Sequence, residues 1–432
     1  MSPPTVPIIV CRGDEYHSAA EVFGQMATDT QTTHGGLMTV LSTYAGMAGD
    51  DSVGAQWAAS YDQAAQLAIS TSAKLATACG QTRDLIAVGA YNHEVAEVAA
   101  DHRDLPPPSP PQLLPDPCLA ETVPSAAGSG IPEPFGWSFI KDLVGWTWPN
   151  GHQDQLNSAQ AAWHTASADF RTVAGEEQQA VDLLSNQQSP EIEISIQTCN
   201  DRRDDFNALA DACQTIGDAC GNFVNYLDEA HHKILDELEE FAIETTAWEV
   251  GFAIFAPITG SLSEWVGNSA LAGRVAVKAR RIAMIIADLA GKVAKIVTDA
   301  VVPLIERMKP LLERIRKWVD EAEIRVSSGG GPPGLNWEKV SGIVRDARKG
   351  KGNFGVGEGT VQEAEAAGRA WVGPNATVAS DGKTLVSEDG LRQFRPPSYK
   401  PNLGRYQCNF EQRNVPNGRW QGNGHLDITD LP

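Results

Sequence analysis

Apolar residues recur at helical spacing through the first three quarters of this chain, then at strand-like spacing through the last quarter. Ala19, Val22, Phe23, Met26 and Ala27 form a stripe with the 3.6-residue period of an amphipathic helix. It predicts one helix from about residue 14, a break at Gly46-Met47-Ala48-Gly49-Asp50-Asp51, and a second helix from about residue 53 to 95. Residues 105–135, with Pro106-Pro107-Pro108 and Pro110-Pro111, cannot be helical, because proline lacks the N–H that the helix needs. A stiff, extended connector is expected there. The pattern then repeats. An apolar start at 139–146 and a turn at Trp148-Pro149-Asn150-Gly151 precede a helix over about 154–184. Gln188-Ser189-Pro190 punctuates. A further helix from about residue 201 to beyond 240 places Phe206, Leu209, Ala210, Cys213, Ile216, Cys220, Phe223 and Leu227 on one face. Two antiparallel helical hairpins packed together are predicted.

Residues 251–326 continue as amphipathic helices in which Arg274, Lys278, Arg280 and Arg281 alternate with aliphatic residues. This reads as a packing helix with a solvated basic face rather than a membrane-surface element. The stretch 250–273 carries Pro257 and Glu264, so a buried helix pair is expected in preference to a membrane span. After Ser327-Ser328-Gly329-Gly330-Gly331-Pro332-Pro333-Gly334 the pattern changes. Thr360-Val361-Gln362-Glu363 is a capping box, followed by Ala364, Ala367, Gly368 and Trp371 at helical spacing. Asp381-Gly382 between two apolar runs is a hairpin signal, and Asp389-Gly390 a second turn. Further strands are expected at 391–395, stopped by Pro396-Pro397, then at 405–413 and 424–429. The expected organisation is a first hairpin (1–104), a connector (105–136), a second hairpin (137–250), additional helices (251–326), a linker (327–335) and a small α+β domain (336–432) with one helix and an antiparallel meander.

Charge sharpens this division. Residues 1–250 hold 9 Lys and Arg against 36 Asp and Glu, 251–335 hold 12 against 8, and 336–432 hold 13 against 11. The acidic front excludes coating of nucleic acid by the whole chain. No secretory signal peptide is visible at the start. Seven cysteines cannot all pair with one another. Cys213 and Cys220 share a helix face; they either bridge to Cys199 or Cys79 or, by default, fill a core. No Cys or His spacing suits zinc, so no metal and no cofactor is expected.

Ala48-Gly49-Asp50-Asp51-Ser52-Val53-Gly54-Ala55-Gln56-Trp57, with Tyr61 beyond it, resembles the turn-and-helix motif of actinobacterial WXG-type secretion proteins. Trp148-Pro149-Asn150-Gly151 followed by Ala161-Ala162-Trp163 is similar to the N-terminal domain of the mycobacterial channel/necrotizing-toxin family. The resemblance implies type VII (ESX-type) secretion machinery, small helical WXG-type partners, and a secreted protein without a cleavable signal. No Tyr-x-x-x-Asp/Glu export signal is present, so either such a partner carries the signal or the export route differs. Gly352-Asn353-Phe354-Gly355-Val356-Gly357, Leu391-Arg392-Gln393-Phe394-Arg395-Pro396-Pro397-Ser398-Tyr399-Lys400-Pro401 and Gly422-Asn423-Gly424-His425-Leu426-Asp427-Ile428 resemble cargo modules of polymorphic toxins of the Rhs and contact-dependent-inhibition types. The order of elements is also similar to the barnase–EndoU–colicin-like RNase superfold. These resemblances imply a toxin acting in the cytoplasm of a target cell, and a cognate immunity protein in the producer.

Alternation in the last strands suggests the chemistry. Arg405, Gln407, Asn409, Glu411 and Arg413 point one way, and Tyr406, Cys408 and Phe410 the other; His425 and Asp427 share a face opposite Leu426 and Ile428. An imidazole, carboxylates and guanidinium groups on one surface suit metal-independent RNA cleavage. His425, Glu411, Arg392 and Lys400 are the candidate catalytic residues; Arg395, Arg405, Arg413 and Tyr399 are candidates for holding RNA. The alternative substrate is NAD, for a glycohydrolase or ADP-ribosyltransferase. A non-enzymatic secreted structural protein is the third reading.

Overall fold

In the computed structural model, residues 9–101, 106, 108–246, 269–330, 335–373, 375–416 and 418–431 are described. Helices α1 (Gly13–Thr43) and α2 (Ser52–Ala100) form the first hairpin. A short α3 (Trp137–Val144) leads into α4 (Gln153–Ser185) and α5 (Ile192–Thr246), the second. The described residues between α2 and α3 run back along the first hairpin without helix, as the prolines require. Asp84 accepts from the Leu114 N–H, His34 Nε2 lies 3.0 Å from the Ala120 carbonyl, and Asp62 accepts from the Ala126 N–H. The connector is thereby pinned antiparallel to α2.

The two turns singled out by sequence interlock. Asn150 Oδ1 accepts from the Asp50 and Asp51 N–H groups, and Asp51 Oδ2 accepts from the Asn150 N–H at 2.9 Å. Gly49, at φ +82°, is needed there, because a Cβ would lie 2.0 Å from Asn150 Oδ1. Asp51 also caps α2 by accepting from Val53 and Gly54. Beneath the turns, Trp57 stacks on Tyr61 at 4.7 Å, and Trp163 Nε1 donates to Tyr61 Oη at 2.9 Å. The motif residues thus form the aromatic contact that joins the hairpins. Among the described residues all seven cysteines are free; Cys79, Cys199, Cys213 and Cys220 are buried, and burial raises each of their pKa values.

Helix α6 (Ser269–Ile296), a π-helical turn (297–301) and α7 (Val302–Ser327) extend the bundle. Most of the 250–273 stretch lies outside the described residues; among those described, no helix is long and apolar enough to cross a membrane. The expected basic face of α6 is only partly solvated. Lys278 is buried and pairs with Glu237 (2.8 Å) and Glu240 of α5, and Arg281 pairs with Glu237. Acidic α5 neutralises basic α6. On α7, Arg314 reaches the buried Asp205 of α5, which also pairs with buried Arg202 at 3.1 Å.

The C-terminal module comprises α8 (Trp337–Lys349), β1 (Gly352–Gly359), α9 (Val361–Val372), β2 (Thr377–Val378), β3 (Leu385–Val386), β4 (Arg392–Lys400), β5 (Arg405–Gln412) and β6 (Gly422–Ile428). Its six strands lie in the order β1-β6-β5-β4-β3-β2. The meander from β2 to β6 is antiparallel as expected, but β1 adds a strand parallel to β6 and α8 adds a second helix. Strand β4 also runs through Pro396-Pro397 instead of stopping there. A bulge between Arg395 and Ser398 absorbs the two residues, and β3 pairs only with Gln393 and Phe394. The capping box of α9 forms, with Thr360 Oγ1 accepting from the Glu363 N–H and Glu363 Oε2 from the Thr360 N–H. Ala364, Ala367 and Trp371 of α9 and Val340, Ile343 and Val344 of α8 cover Phe394, Cys408, Phe410, Leu426 and Ile428 of the sheet. Helix α7 packs on α8 and α9, with Lys317 Nζ 2.8 Å from Glu338. The helical layer therefore separates the long-helix bundle from the sheet, and the polar sheet face is turned away from that bundle.

Candidate active site

Because Leu426 and Ile428 anchor β6 in the core, the alternating residues Asn423, His425 and Asp427 stand on the open face. The register places Asn409 and Gln407 of β5 beside His425 and Asp427, and Gly355 of β1 on the other side of His425. Asn409 Nδ2 lies 3.0 Å from His425 Nδ1 and donates to Asn423 Oδ1 at 2.9 Å; Asn423 donates in turn to Asn353. The Nδ1 side of the imidazole is thus occupied, which leaves Nε2 for the solvent side. Gln407 donates to Asp427 Oδ1 at 2.6 Å, and Arg405 pairs with the second Asp427 oxygen. These groups border an open groove of about 660 Å³ lined by Asn353, Gly355, Glu358, Arg405, His425 and Asp427 among others.

Partial burial, followed by the Lys400 ammonium, pushes the His425 pKa below its ordinary value, against the pull of Glu411 and Asp427. The imidazole is therefore predominantly neutral at pH 7. Lys400 donates to Ser398 Oγ at 2.9 Å and makes no ion pair among the described residues. Glu411 is differently placed. It is buried, pairs with Arg395 at 3.1 Å and accepts from Gln393, so it is held as a structural partner of Arg395 on the same face.

His425 and Arg405 line the groove, with Lys400, Arg395 and Glu411 on the same sheet face. Three sequence candidates fall elsewhere. Arg392 alternates with core residue Phe394, so it stands on the helix side, its guanidinium 5.9 Å from the Trp371 ring. Tyr399 follows the bulge onto that same side, where its ring meets Tyr406 at 5.3 Å. Arg413 donates to the Gly390 and Gly418 carbonyls and stacks on Trp420, and so braces a loop. The bulge at Pro396-Pro397, where two residues of β4 oppose Cys408 alone, adds one residue and so reverses the facing of the rest of β4, which simple alternation does not anticipate. Asp427, Gln407 and Asn409 are the site residues missing from the sequence candidates. Their signal was available, since all three share the alternation that selected His425.

Comparison with known proteins gives distant, partial matches. The chain is 29% identical over 210 residues to "Outer membrane channel protein CpnT" of Mycobacterium tuberculosis and of Mycobacterium bovis, a match covering 47% of this chain and 24% of the relative. It is 35% identical over 142 residues to "Putative NAD(+)--arginine ADP-ribosyltransferase Mav" of Mycobacterium avium, covering 32% of this chain and 17% of that protein. The chain thus spans at most about a quarter of the length of these relatives. No family model and no solved structure matches. Residues 336–432 make up less than a quarter of the chain, so each match necessarily extends into the helical region. The chain is therefore related in part to mycobacterial CpnT and Mav.

Proposed function

We propose that the helical region is a carrier exported by type VII secretion and that the C-terminal module is its toxic cargo, a metal-independent ribonuclease. The observation that carries the reading is the placement of His425 and Lys400 on one open sheet face. A predominantly neutral imidazole presents Nε2 toward an open groove, and an ammonium without an ion pair among the described residues stands on the same face. In this mechanism His425 Nε2 takes the proton of a ribose 2′-hydroxyl. The 2′ oxygen attacks the adjacent phosphorus, a 2′,3′-cyclic phosphate forms, the P–O5′ bond breaks, and the 5′ oxygen leaves as it takes up a proton from solvent in the open groove. Lys400 and Arg405 stabilise the charge that develops on phosphorus oxygens. Because the polar face is turned away from the carrier, the undelivered chain would already expose its site. That supports a cognate immunity protein in the producer, while WXG-type partners would serve the helical hairpins at export.

One observation favours a second substrate. The Mav match carries the printed name of an NAD-dependent transferase, and a groove for a ribose phosphate also suits a nicotinamide dinucleotide. Incubating the full chain in parallel with total RNA and with NAD separates the two. The ribonuclease reading expects RNA fragments and no nicotinamide; nicotinamide release with intact RNA would replace it with the second.

A further inference from the structure

The strand beside His425 contains a glycine that the fold does not require. Gly355 lies on β1 in direct register with His425 and on the open face, since its neighbours Phe354 and Val356 pack toward the core. Two conditions normally demand glycine in a strand, a positive φ or a crowded Cβ position. Neither holds at Gly355. Its φ lies outside the left-handed region, and a Cβ built there meets no heavy atom within 4 Å. Gly352 and Gly357 of the same strand differ, at φ +71° and +97°. Gly424, across the sheet, differs too, since its Cβ would come within 3.0 Å of Val356. A glycine in a strand weakens it, because it gains no side-chain packing and loses more backbone entropy. A bare position that backbone and packing would both allow to be filled is a place where something from outside approaches the backbone.

The approaching group follows from the surroundings. Gly355 lines the same groove as His425, Arg405 and Asp427. On the β5 side the groove is walled by Arg405 and Gln407, whereas on the β1 side Asn353 and Glu358 flank Gly355, the position beside His425 where no side chain faces the groove. We infer that Gly355 is the entry and specificity position of the site: the ribose and base next to the scissile phosphate lie on the bare β1 backbone there. This brings the 2′-hydroxyl to His425 Nε2. The inference rests on the ribonuclease reading and adds to it where the nucleotide lies.

The test is Gly355→Val in the full chain, with Gly355→Ala as the smaller step. Valine favours strands, so the variant is expected to melt at the same temperature as the parent or higher. Its RNA cleavage is expected to fall at least about 100-fold, mostly through a raised KM, with Gly355→Ala in between. Affinity for an uncleavable 2′-deoxy oligonucleotide should fall by a similar factor. A stable Gly355→Val protein that cleaves RNA and binds the oligonucleotide like the parent overturns the inference and leaves the ribonuclease reading standing. A parent that cleaves no RNA removes the reading itself. Should the valine variant fail to fold, an unchanged KM in a folded Gly355→Ala variant overturns the inference equally.

Discussion

Replacing Asp205 by alanine should loosen α7, the helix against which the C-terminal module packs. Asp205 is fully buried on α5 and pairs with Arg202, which is 2% exposed. Arg314 of α7 reaches the same carboxylate, and Arg202 lies 4.4 Å from the ring of Trp318, also on α7. Arg202 Nε and Nη1 have no hydrogen-bond partner. Removing the carboxylate therefore strands a buried guanidinium with only its aromatic neighbour. An uncompensated buried charge of this kind costs about 3–5 kcal/mol. For a helical unit of this size that is a fall of roughly 6–20 °C in melting temperature. Arg314 is 64% exposed, so Arg314→Gln should cost no more than about 1 kcal/mol. Because the arginine is poorly satisfied, the double replacement Arg202→Met with Asp205→Leu should match or exceed the parent. Thermal unfolding of the full chain by far-ultraviolet circular dichroism measures all three. A single Asp205→Ala loss below about 1 kcal/mol, or a double replacement less stable than the single, would refute the reasoning.

Three further outcomes are expected. Lys400→Gln removes one of the two causes that hold the His425 pKa down, so the acid limb of the RNA-cleavage profile, where the neutral base is lost, should move to higher pH; an unmoved limb counts against Lys400 acting on His425. Gly368→Val drives a side chain into Phe394, whose ring atoms lie 2.4–2.5 Å from the Cβ position, and should destabilise the module by roughly 1–3 kcal/mol in a urea titration. Asn150→Ala removes the acceptor for the Asp50 and Asp51 N–H groups and should cost about 1–3 kcal/mol, with the connector becoming the first site of limited proteolysis.

Much of the architecture was legible because long helices carry many repeats of one period. The stripe through Ala19, Phe23 and Met26 and that through Phe206, Cys213 and Phe223 are both buried. Ends were less legible. Helix α5 starts at Ile192, ahead of the strong stripe, where Ile192, Ile194 and Ile196 recur with a period of two that does not read as a helix. In the module, β1 escaped notice because glycine has no side chain to alternate, and its pairing with β6 is supplied by the sheet. Helix α8 did carry a signal, with Asn336 capping it and Val340, Ile343, Val344 and Ala347 at helical spacing. The polar sheet face was readable from alternation in β5 and β6, where the pairing is regular. It failed in β4 beyond Arg395, where the bulge turned Tyr399 to the helix side; Arg392 obeys alternation and shares the helix side with Phe394.

The account stands on His425 acting on a ribose next to a phosphodiester. The most direct measurement is mass spectrometry of the ends produced when the full chain is incubated with RNA in the presence of a metal chelator. The account predicts 2′,3′-cyclic phosphate and 5′-hydroxyl ends, with production reduced about 100- to 10,000-fold in a folded His425→Ala variant. Intact RNA, or equal cleavage by that variant, would contradict it.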